Sequence, residues 1–295
     1  MTRHFSTALV LAAFAWGAVA NAQTAPASPS PQSTATPPAA PAEEERDDAV
    51  LNRSQPDFTL INLPTGLRMP QWKSAFRITH RFTRPLGDGS FGNLAADAFG
   101  LDSGAVIGME FRMGIVPGGQ VVFYRTNDRT IQFSGQYDVK QQSESFPLGI
   151  AAYVSVDGTN NFRDSYSPAV GAVLTREFAD HGAVYLEPIF VNNSNPEPKE
   201  LVDDNDTFLL GIGGRIRVRP TVYLVGELVP RLSGYDPKKT AASFAIEKRA
   251  GGHAFQLVFS NTFGLTMAQI ARGGEPNSSG GNNWYMGFNI SRKFF

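Results

Sequence analysis

Basic side chains recur at every second position in several segments of the chain. Arg215, Arg217 and Arg219 form the clearest series. Alternate residues of a β-strand point to the same side, so these guanidinium groups would share one face. Rings of arginine or lysine inside a barrel favour anionic solutes. The candidate solute-contacting residues are Arg77, Arg81, Glu110, Arg112, Arg215, Arg217, Glu227 and Arg249.

Two interpretations of these charged residues are open. They line an anion-preferring pore, or they pair across neighbouring strands and fill the lumen of a closed barrel. Basic residues outnumber acidic residues on the face that carries these charged side chains, which favours the pore. Glu227, on the strand after the arginine series, would pair with part of that series.

The histidines give no indication of a metal site. His80, His181 and His253 lie in separate segments, and none has a second histidine two or four residues away. Residues 203–206 resemble part of a calcium-binding loop but lack its glycine and its distal glutamate. We expect no bound metal and no cofactor.

A catalytic site is not predicted. A hydrolase needs a nucleophile or an activated water beside a base. The available pairs are Ser233 with His253 and Asp164 with His181, and the sequence brings neither pair together. Nucleophile-elbow and His-Glu-x-x-His motifs do not occur. The protein is therefore expected not to be an enzyme. An outer-membrane enzyme ranks third, after a pore and a closed structural barrel.

Long β-strands are the elements that would position the charged side chains. From Trp72 onward, apolar and polar residues alternate, as in a strand with one apolar and one wet face. Most of these segments hold about 8 to 13 residues, enough for a tilted membrane-spanning strand. The twelve predicted spans are 72–83, 103–115, 119–126, 130–140, 148–157, 167–178, 182–192, 206–218, 221–230, 242–249, 253–263 and 283–294.

The connections between these spans alternate between short and long, with one exception at residues 127–129. Transmembrane barrels with an even number of strands have short periplasmic turns and longer outer loops. A soluble sandwich has no such regularity. The sequence therefore predicts an all-β fold, a single transmembrane antiparallel up-and-down β-barrel of about 12 strands. A soluble β-barrel is the alternative.

Two local features bear on this fold. Pro188 lies inside a predicted strand, where its missing N–H requires a bulge or a shifted boundary. Aromatic residues near strand ends are expected at the membrane interfaces. They are Trp72, Tyr124, Tyr166, Tyr223 and Trp284.

The N-terminal part of the chain has a different composition. Residues 1–22 have a basic start, an apolar core and an Ala-Asn-Ala end, the pattern of a secretory signal peptide. Residues 23–55 are first rich in alanine and proline and then acidic, which predicts a disordered periplasmic tether. Residues 56–295 are the predicted outer-membrane barrel, with both termini of the mature protein in the periplasm.

Composition excludes several classes of protein. The 295 residues contain no cysteine, so disulfide scaffolds, thiol catalysis and cysteine-ligated metals are ruled out. The net charge of −1 argues against nucleic-acid binding. The expected partners are outer-membrane lipid and lipopolysaccharide, together with the outer-membrane assembly machinery, which would engage the C-terminal strand near Phe294.

Several short motifs, in their order along the chain, resemble those of an uncharacterised family of bacterial outer-membrane β-barrels, a domain of unknown function. The motifs are Thr79-His80-Arg81-Phe82, Phe99-Gly100-Leu101-Asp102, Gly211-Ile212-Gly213-Gly214-Arg215, Gly252-His253-Ala254-Phe255-Gln256-Leu257 and Gly287-Phe288-Asn289-Ile290-Ser291-Arg292-Lys293-Phe294. The resemblance covers roughly residues 56–295. It implies fold and location, and it brings no activity and no catalytic residue.

These observations lead to a functional expectation. The first hypothesis is an outer-membrane barrel that forms a narrow, anion-preferring pore for small solutes. The alternative is a closed structural barrel that displays outer loops and anchors envelope partners.

Overall fold

The computed structural model describes residues 52–195, 205–235 and 239–295. Within these residues, twelve antiparallel strands each pair with the next, and β1 pairs with β12 to close the barrel. The predicted fold class and strand number are confirmed. The strands are β1 (Ser74–Phe82), β2 (Ala105–Val116), β3 (Gly119–Thr126), β4 (Ile131–Lys140), β5 (Gly149–Gly158), β6 (Asp164–Glu177), β7 (Gly182–Val191), β8 (Thr207–Arg219), β9 (Val222–Val229, continued by Arg231–Gly234), β10 (Ala241–Ala250), β11 (His253–Ser260) and β12 (Tyr285–Lys293).

Strand β9 is interrupted at Pro230 but follows β8 on both sides of the interruption. Leu228 pairs with Ile212 and Arg231 pairs with Leu209. Proline has no N–H to donate, but its carbonyl oxygen accepts the N–H of Leu210 at 2.9 Å. The two parts are therefore one strand of the barrel wall.

The outer face of the barrel is apolar. In β1, Phe76 and Ile78 face outward and Arg77 and Arg81 are buried inside, as the alternation predicts. A closed wall with an apolar outside and a polar inside is the arrangement of a membrane barrel. Exposed apolar side chains on this face include Met109, Phe111, Val121, Phe123, Phe133, Val154, Val170, Val184, Leu186, Ile212, Ile216, Leu224, Leu228, Phe244, Ile246, Phe255 and Leu257.

Two tyrosines expected at the membrane interfaces lie inside the barrel. Tyr124 is 5% exposed and Tyr223 is fully buried. The Tyr223 hydroxyl donates to the carbonyl oxygen of Arg53 at 3.1 Å. A buried tyrosine hydroxyl needs a polar partner, which the lumen supplies and lipid does not. The interface positions predicted for these two residues are wrong.

Pro188 causes neither a bulge nor a shifted boundary. Strand β7 pairs with β6 in one register on both sides of it, from Gly171–Ile189 to Leu174–Leu186. The pairings opposite Glu187 and Pro188 are missing from this ladder, while Pro188 still pairs with Leu210 of β8. A local gap in one ladder accommodates the missing N–H, so the expected bulge is wrong.

The connections define two ends of the barrel. The turn end carries β2–β3, β4–β5, β6–β7, β8–β9 and β10–β11, and the loop end carries the others, including the long connections β1–β2 and β11–β12. The predicted long connection between β5 and β6 is reduced to a short one because both strands extend toward each other. Short helices occur at the loop end: α1 (Phe91–Ala96), a 3-10 helix (Ala98–Gly100), α2 (Thr159–Phe162) and α3 (Met267–Ala271). In the part of the chain that the structure describes, no helix is long and apolar enough to cross a membrane.

The predicted signal peptide, residues 23–51 of the tether and positions 203–204 lie outside the described residues. Asn52–Gln55 were also assigned to the tether, but they are packed in the barrel. Ser54 and Gln55 are 1% and 3% exposed. Both side chains donate to the Glu177 carboxylate at the end of β6, which holds this part of the chain against the wall.

Candidate functional site

Most of the described chain that precedes β1 lies inside the barrel. Asn52–Gln71, termed the lumen plug, enters at the turn end and returns to the same end. Near its start, Arg53 pairs with Asp180 of the β6–β7 turn at 3.1 Å. Near its end, Arg68 pairs with Asp138 of β4 at 2.9 Å. The plug is therefore a loop inserted from one side and is not threaded through the barrel.

The tip of the lumen plug is a tight turn with apolar side chains. The N–H of Leu60 donates to the carbonyl oxygen of Leu63 at 2.8 Å, and the N–H of Thr65 donates to that of Phe58 at 2.9 Å. Leu60, Ile61 and Leu63 have no exposed surface. The tip thus joins a buried apolar cluster with lumen-facing wall residues such as Val173, Ile189 and Leu209, in a lumen that also holds many polar side chains.

Two glycines of β8 make room for the leucines of the tip. Gly211 and Gly213 lie in the lumen-facing phase of the strand. A Cβ added to Gly213 would overlap the Leu60 side chain, and one added to Gly211 would lie 3.0 Å from Leu63. The missing side chains therefore form two seats, one for each leucine.

Glu227 of β9 binds the main chain of the plug tip. Its Oε2 accepts the N–H groups of Ile61 at 3.2 Å, Asn62 at 2.9 Å and Leu63 at 3.1 Å. The side-chain amide of Asn62 donates to the same carboxylate. The expected pairing of Glu227 with the arginine series is wrong, because the plug backbone takes its oxygens.

The carbonyl oxygens of the plug are bound by side chains of the barrel wall. The Arg215 guanidinium donates to Thr59 at 2.9 Å, and the amide of Gln136 donates to Thr65 at 2.8 Å. Hydrogen bonds from charged donors are the stronger ones in proteins. The donor and acceptor residues are Tyr223 with Arg53, Lys293 with Pro56, Arg215 with Asp57 and Thr59, Gln256 with Leu60, Arg77 and Asn289 with Ile61, Gln136 with Thr65, and Gln120 with Leu67.

Seven of the eight candidate solute-contacting residues are buried on the lumen side, and Arg217 lies partly exposed at the turn end, 3.9 Å from Asp180. Arg112 pairs with Glu110 at 2.9 Å. Arg215 pairs at 2.9 Å with Glu247, a partner that the sequence did not identify. The seven buried candidates are Arg77, Arg81, Glu110, Arg112, Arg215, Glu227 and Arg249.

Glu187 of β7 has an unusual environment. It has no exposed surface, and neither of its carboxylate oxygens has a hydrogen-bond partner among the described residues. It pairs in register with Gly211, so its side chain borders the seat of Leu63. The sequence analysis did not select Glu187 as a site residue.

The loop end of the lumen is closed by the connection between β11 and β12. Residues 264–272, termed the lumen cap, fold inward and include the buried helix α3. The N–H of Ala268 donates to Asp157 of β5 at 3.1 Å. The Gln269 side chain donates to Asp128 of the β3–β4 connection at 2.8 Å. A cavity of about 40 Å³, enough for two or three waters, lies between the tip of the plug and the cap.

The structure separates the side-chain pairs considered for catalysis. Ser233 lies near the loop end of β9, whereas His253 begins β11 at the turn end. Asp164 begins β6 at the loop end, and His181 lies in the turn before β7. Among the described residues, no group of three metal-binding side chains is close enough to hold an ion.

Solved structures of outer-membrane proteins align with the chain at low sequence identity. The NanC porin aligns at 7% identity, 75% coverage of this chain, 100% of that chain and a TM-score of 0.49. An outer-membrane channel from Pseudomonas putida F1 aligns at 10% identity, with 78% and 98% coverage and a TM-score of 0.49. Outer membrane phospholipase A from Escherichia coli aligns at 10% identity, with 82% and 95% coverage and a TM-score of 0.43.

No curated protein matches the sequence at a significant level. Residues 57–294 match a family described as a membrane-bound β-barrel domain of unknown function. This confirms the resemblance inferred from the motifs, and the match begins inside the lumen plug, so it includes the plug tip as well as the wall. The chain belongs to this family of membrane-bound β-barrels.

Proposed function

We propose that this protein is an outer-membrane channel for small polar solutes and that its own lumen plug closes it. The supporting observation is the plug's path: it enters and leaves at the turn end, while the wall closes independently through the β1–β12 pairing. The plug can therefore withdraw without breaking the ring of strands. In this orientation the turn end and Phe294 face the periplasm.

The size of the barrel and the polarity of its wall support a channel. Barrels of about eight strands are filled by their own side chains, whereas barrels of 16 strands leave an aqueous channel. With twelve strands, this lumen is filled only with the help of the plug and the cap. The wall groups that bind the plug are hydrogen-bonding side chains, and water can replace their partners when the plug withdraws.

Two arginines support the anion preference in the open state. Arg77 and Arg81 donate to the plug and to Asn289 and take part in no ion pair among the described residues. Withdrawal of the plug would leave them facing water without a carboxylate at ion-pair distance. We expect Arg77→Gln with Arg81→Gln to reduce anion over cation preference, measured as a shift of reversal potential under a salt gradient. Unchanged selectivity of the conducting double variant would contradict anion preference from these residues.

The closed structural barrel is the second candidate. The observation that favours it is the filling of the lumen from both ends by buried segments, with a cavity of only about 40 Å³ between them. In that case the plug never leaves, and the wall–plug hydrogen bonds serve stability alone.

A disulfide lock distinguishes the two candidates. A Cβ built on Gly66 of the plug lies 3.1 Å from the Cβ of Thr175 on β6. An outward shift of the plug by several tenths of an ångström would bring the pair to the spacing of a disulfide, about 3.5–4.5 Å. The chain has no cysteine of its own, so Gly66→Cys with Thr175→Cys adds one defined pair. Each single substitution is the matched control.

For the channel, wild type and both controls should show currents in planar bilayers. The oxidised double variant should be silent and should regain current on reduction. Currents that are unaffected by oxidation would contradict closure by the plug. Silence of wild type, and of a variant with Leu60→Asp and Leu63→Asp that unseats the plug, would establish the closed structural barrel.

A further inference from the structure

The barrel wall binds the lumen plug through atoms that every polypeptide has. Three consecutive backbone N–H groups, from Ile61 to Leu63, converge on one oxygen of Glu227. Side chains of the wall donate to backbone carbonyl oxygens along the plug, for example Gln256 to Leu60 at 2.7 Å. Main-chain hydrogen bonds are the usual source of affinity when a protein binds an extended peptide.

Side-chain selectivity at this site comes from the two seats of β8. Gly213 leaves space for Leu60 and Gly211 leaves space for Leu63. Leu60 and Leu63 belong to one buried apolar cluster with lumen-facing wall residues such as Ile189, Leu209 and Val258, so an apolar side chain in either seat gains burial. The wall therefore combines general backbone recognition with two positions that select side chains.

The plug leaves one wall group unsatisfied. Glu187 is fully buried beside the Leu63 seat, and both of its oxygens lack hydrogen-bond partners among the described residues. Buried polar groups are normally paired, and an unpaired carboxylate is among the most costly exceptions. A ligand with a cationic side chain at the position of Leu63 would supply the missing partner.

We propose that the lumen is a binding site for a looped segment of another polypeptide that enters from the turn end. The lumen plug occupies this site in the absence of that ligand. The ligand has an apolar residue at the position of Leu60 and a lysine or arginine at the position of Leu63, where it reaches Glu187. This inference goes beyond solute conduction and does not depend on it.

The test uses full-length protein with Leu60→Asp and Leu63→Asp, which unseats the plug because two carboxylates would otherwise be buried in apolar seats. The probe is a fluorescent peptide with the sequence of Asn52–Gln71, and binding is measured by anisotropy in detergent. The same peptide with both aspartates is the control and should not bind. A peptide with Leu63→Lys should bind about tenfold more tightly than the native sequence, the factor expected for a charge-assisted hydrogen bond.

Glu187→Gln in the barrel should abolish the gain from lysine, because the amide carries no counter-charge, and should not weaken binding of the native-sequence peptide. Loss of the gain only in this combination identifies the carboxylate as the partner of the lysine. A gain that persists with Glu187→Gln, or no gain at all, would overturn the assignment of Glu187. No binding of either peptide to the unseated barrel would overturn the whole proposal.

A second measurement covers the case in which the doubly substituted chain does not fold. In wild-type protein, an excess of the Leu63→Lys peptide should displace the plug and expose the bond between Arg53 and the buried Ser54 to trypsin. Cleavage that the peptide does not accelerate would contradict the proposal. Anisotropy and proteolysis need no current, so peptide binding without conductance would reject only the channel, and conductance without binding would reject only the peptide site.

Discussion

The lumen plug and the lumen cap close the same barrel in different ways. The plug has no helix, and side chains of the wall bind its backbone groups directly, as Glu227 and Arg215 do. The cap contains helix α3, which satisfies part of its own backbone, and packs through Met267 and Ile270. Among the described residues, the cap is joined to strands at both ends, whereas the plug is joined to a strand only at its C-terminal end, by β1.

This difference indicates which closure can be released. The wall groups that hydrogen-bond to the plug can be hydrated, so the cost of withdrawal is mainly the exposure of the apolar tip and of the apolar wall residues that cluster with it, such as Val173 and Ile189. Withdrawing the cap would expose its apolar residues and would also require its two neighbouring strands to accommodate an unfolded loop. We therefore expect the plug to open first and the cap to open in a separate step.

The largest effect is expected from filling a leucine seat. Gly213→Leu places a side chain where Leu60 lies, so the plug tip cannot dock. We expect more frequent channel openings in planar bilayers, because only the cap then remains to close the lumen, and rapid trypsin cleavage after Arg53. The matched control is Gly226→Leu on β9, because a Cβ there faces lipid and meets nothing within 4 Å. A silent, protease-resistant Gly213→Leu barrel would contradict the assignment of the seat.

The strands of this barrel could be predicted because the alternation that defines them involves residues that are close together in the sequence. Alternation of apolar and polar residues fixes which side chains face lipid, and β3, predicted at 119–126, is observed at Gly119–Thr126. Amphipathic residues are the exception. Tyr124 and Tyr223 suit both a membrane interface and a wet lumen, so their phase could not be decided from residue type alone.

The plug could not be predicted because its partners are distant in sequence. Residues 56–71 show no alternation, and the contact between Leu60 and Gly213 spans more than 150 residues. Two features of the sequence do point to it in hindsight. An apolar cluster, Leu60-Ile61-Asn62-Leu63, precedes the first strand, and Gly211 and Gly213 leave gaps in the lumen-facing phase of β8.

An intermediate effect is expected from the buried ion pair beside the plug. Arg215 and Glu247 have fully buried side chains 2.9 Å apart, and Arg215 also holds Thr59 of the plug. Glu247→Gln leaves a buried guanidinium without its counter-charge, which costs about 3–5 kcal/mol. The midpoint of urea unfolding in lipid vesicles should fall accordingly.

The cap side offers the comparison for this substitution. Asp157 accepts hydrogen bonds from Gln132 and Ala268 and is in no ion pair among the described residues. Asp157→Asn keeps one acceptor oxygen, so we expect a loss of only about 1 kcal/mol. Equal losses for Glu247→Gln and Asp157→Asn would show that the ion pair beside the plug contributes no more to stability than the hydrogen bonds beneath the cap.

The smallest effects are expected from two glutamines of one strand, one bound to the plug and the other bound beneath the cap. Gln136 and Gln132 lie four residues apart on the lumen face of β4. Gln136 donates to the carbonyl oxygen of Thr65 in the plug at 2.8 Å, and Gln132 donates to Asp157 below the cap at 2.7 Å. Replacing either by alanine removes one hydrogen bond of about 1 kcal/mol, which corresponds to about a fivefold change in an opening equilibrium.

Trypsin measures the two openings separately, because Arg53 lies in the plug and Arg272 ends the cap. When closing is faster than cleavage, the rate at each site follows the population of the open form. Gln136→Ala should therefore accelerate cleavage after Arg53 about fivefold and leave Arg272 unchanged, and Gln132→Ala should do the reverse. If both substitutions accelerate both sites, the plug and the cap open as one cooperative unit, and withdrawal of the plug alone cannot be the step that opens the lumen.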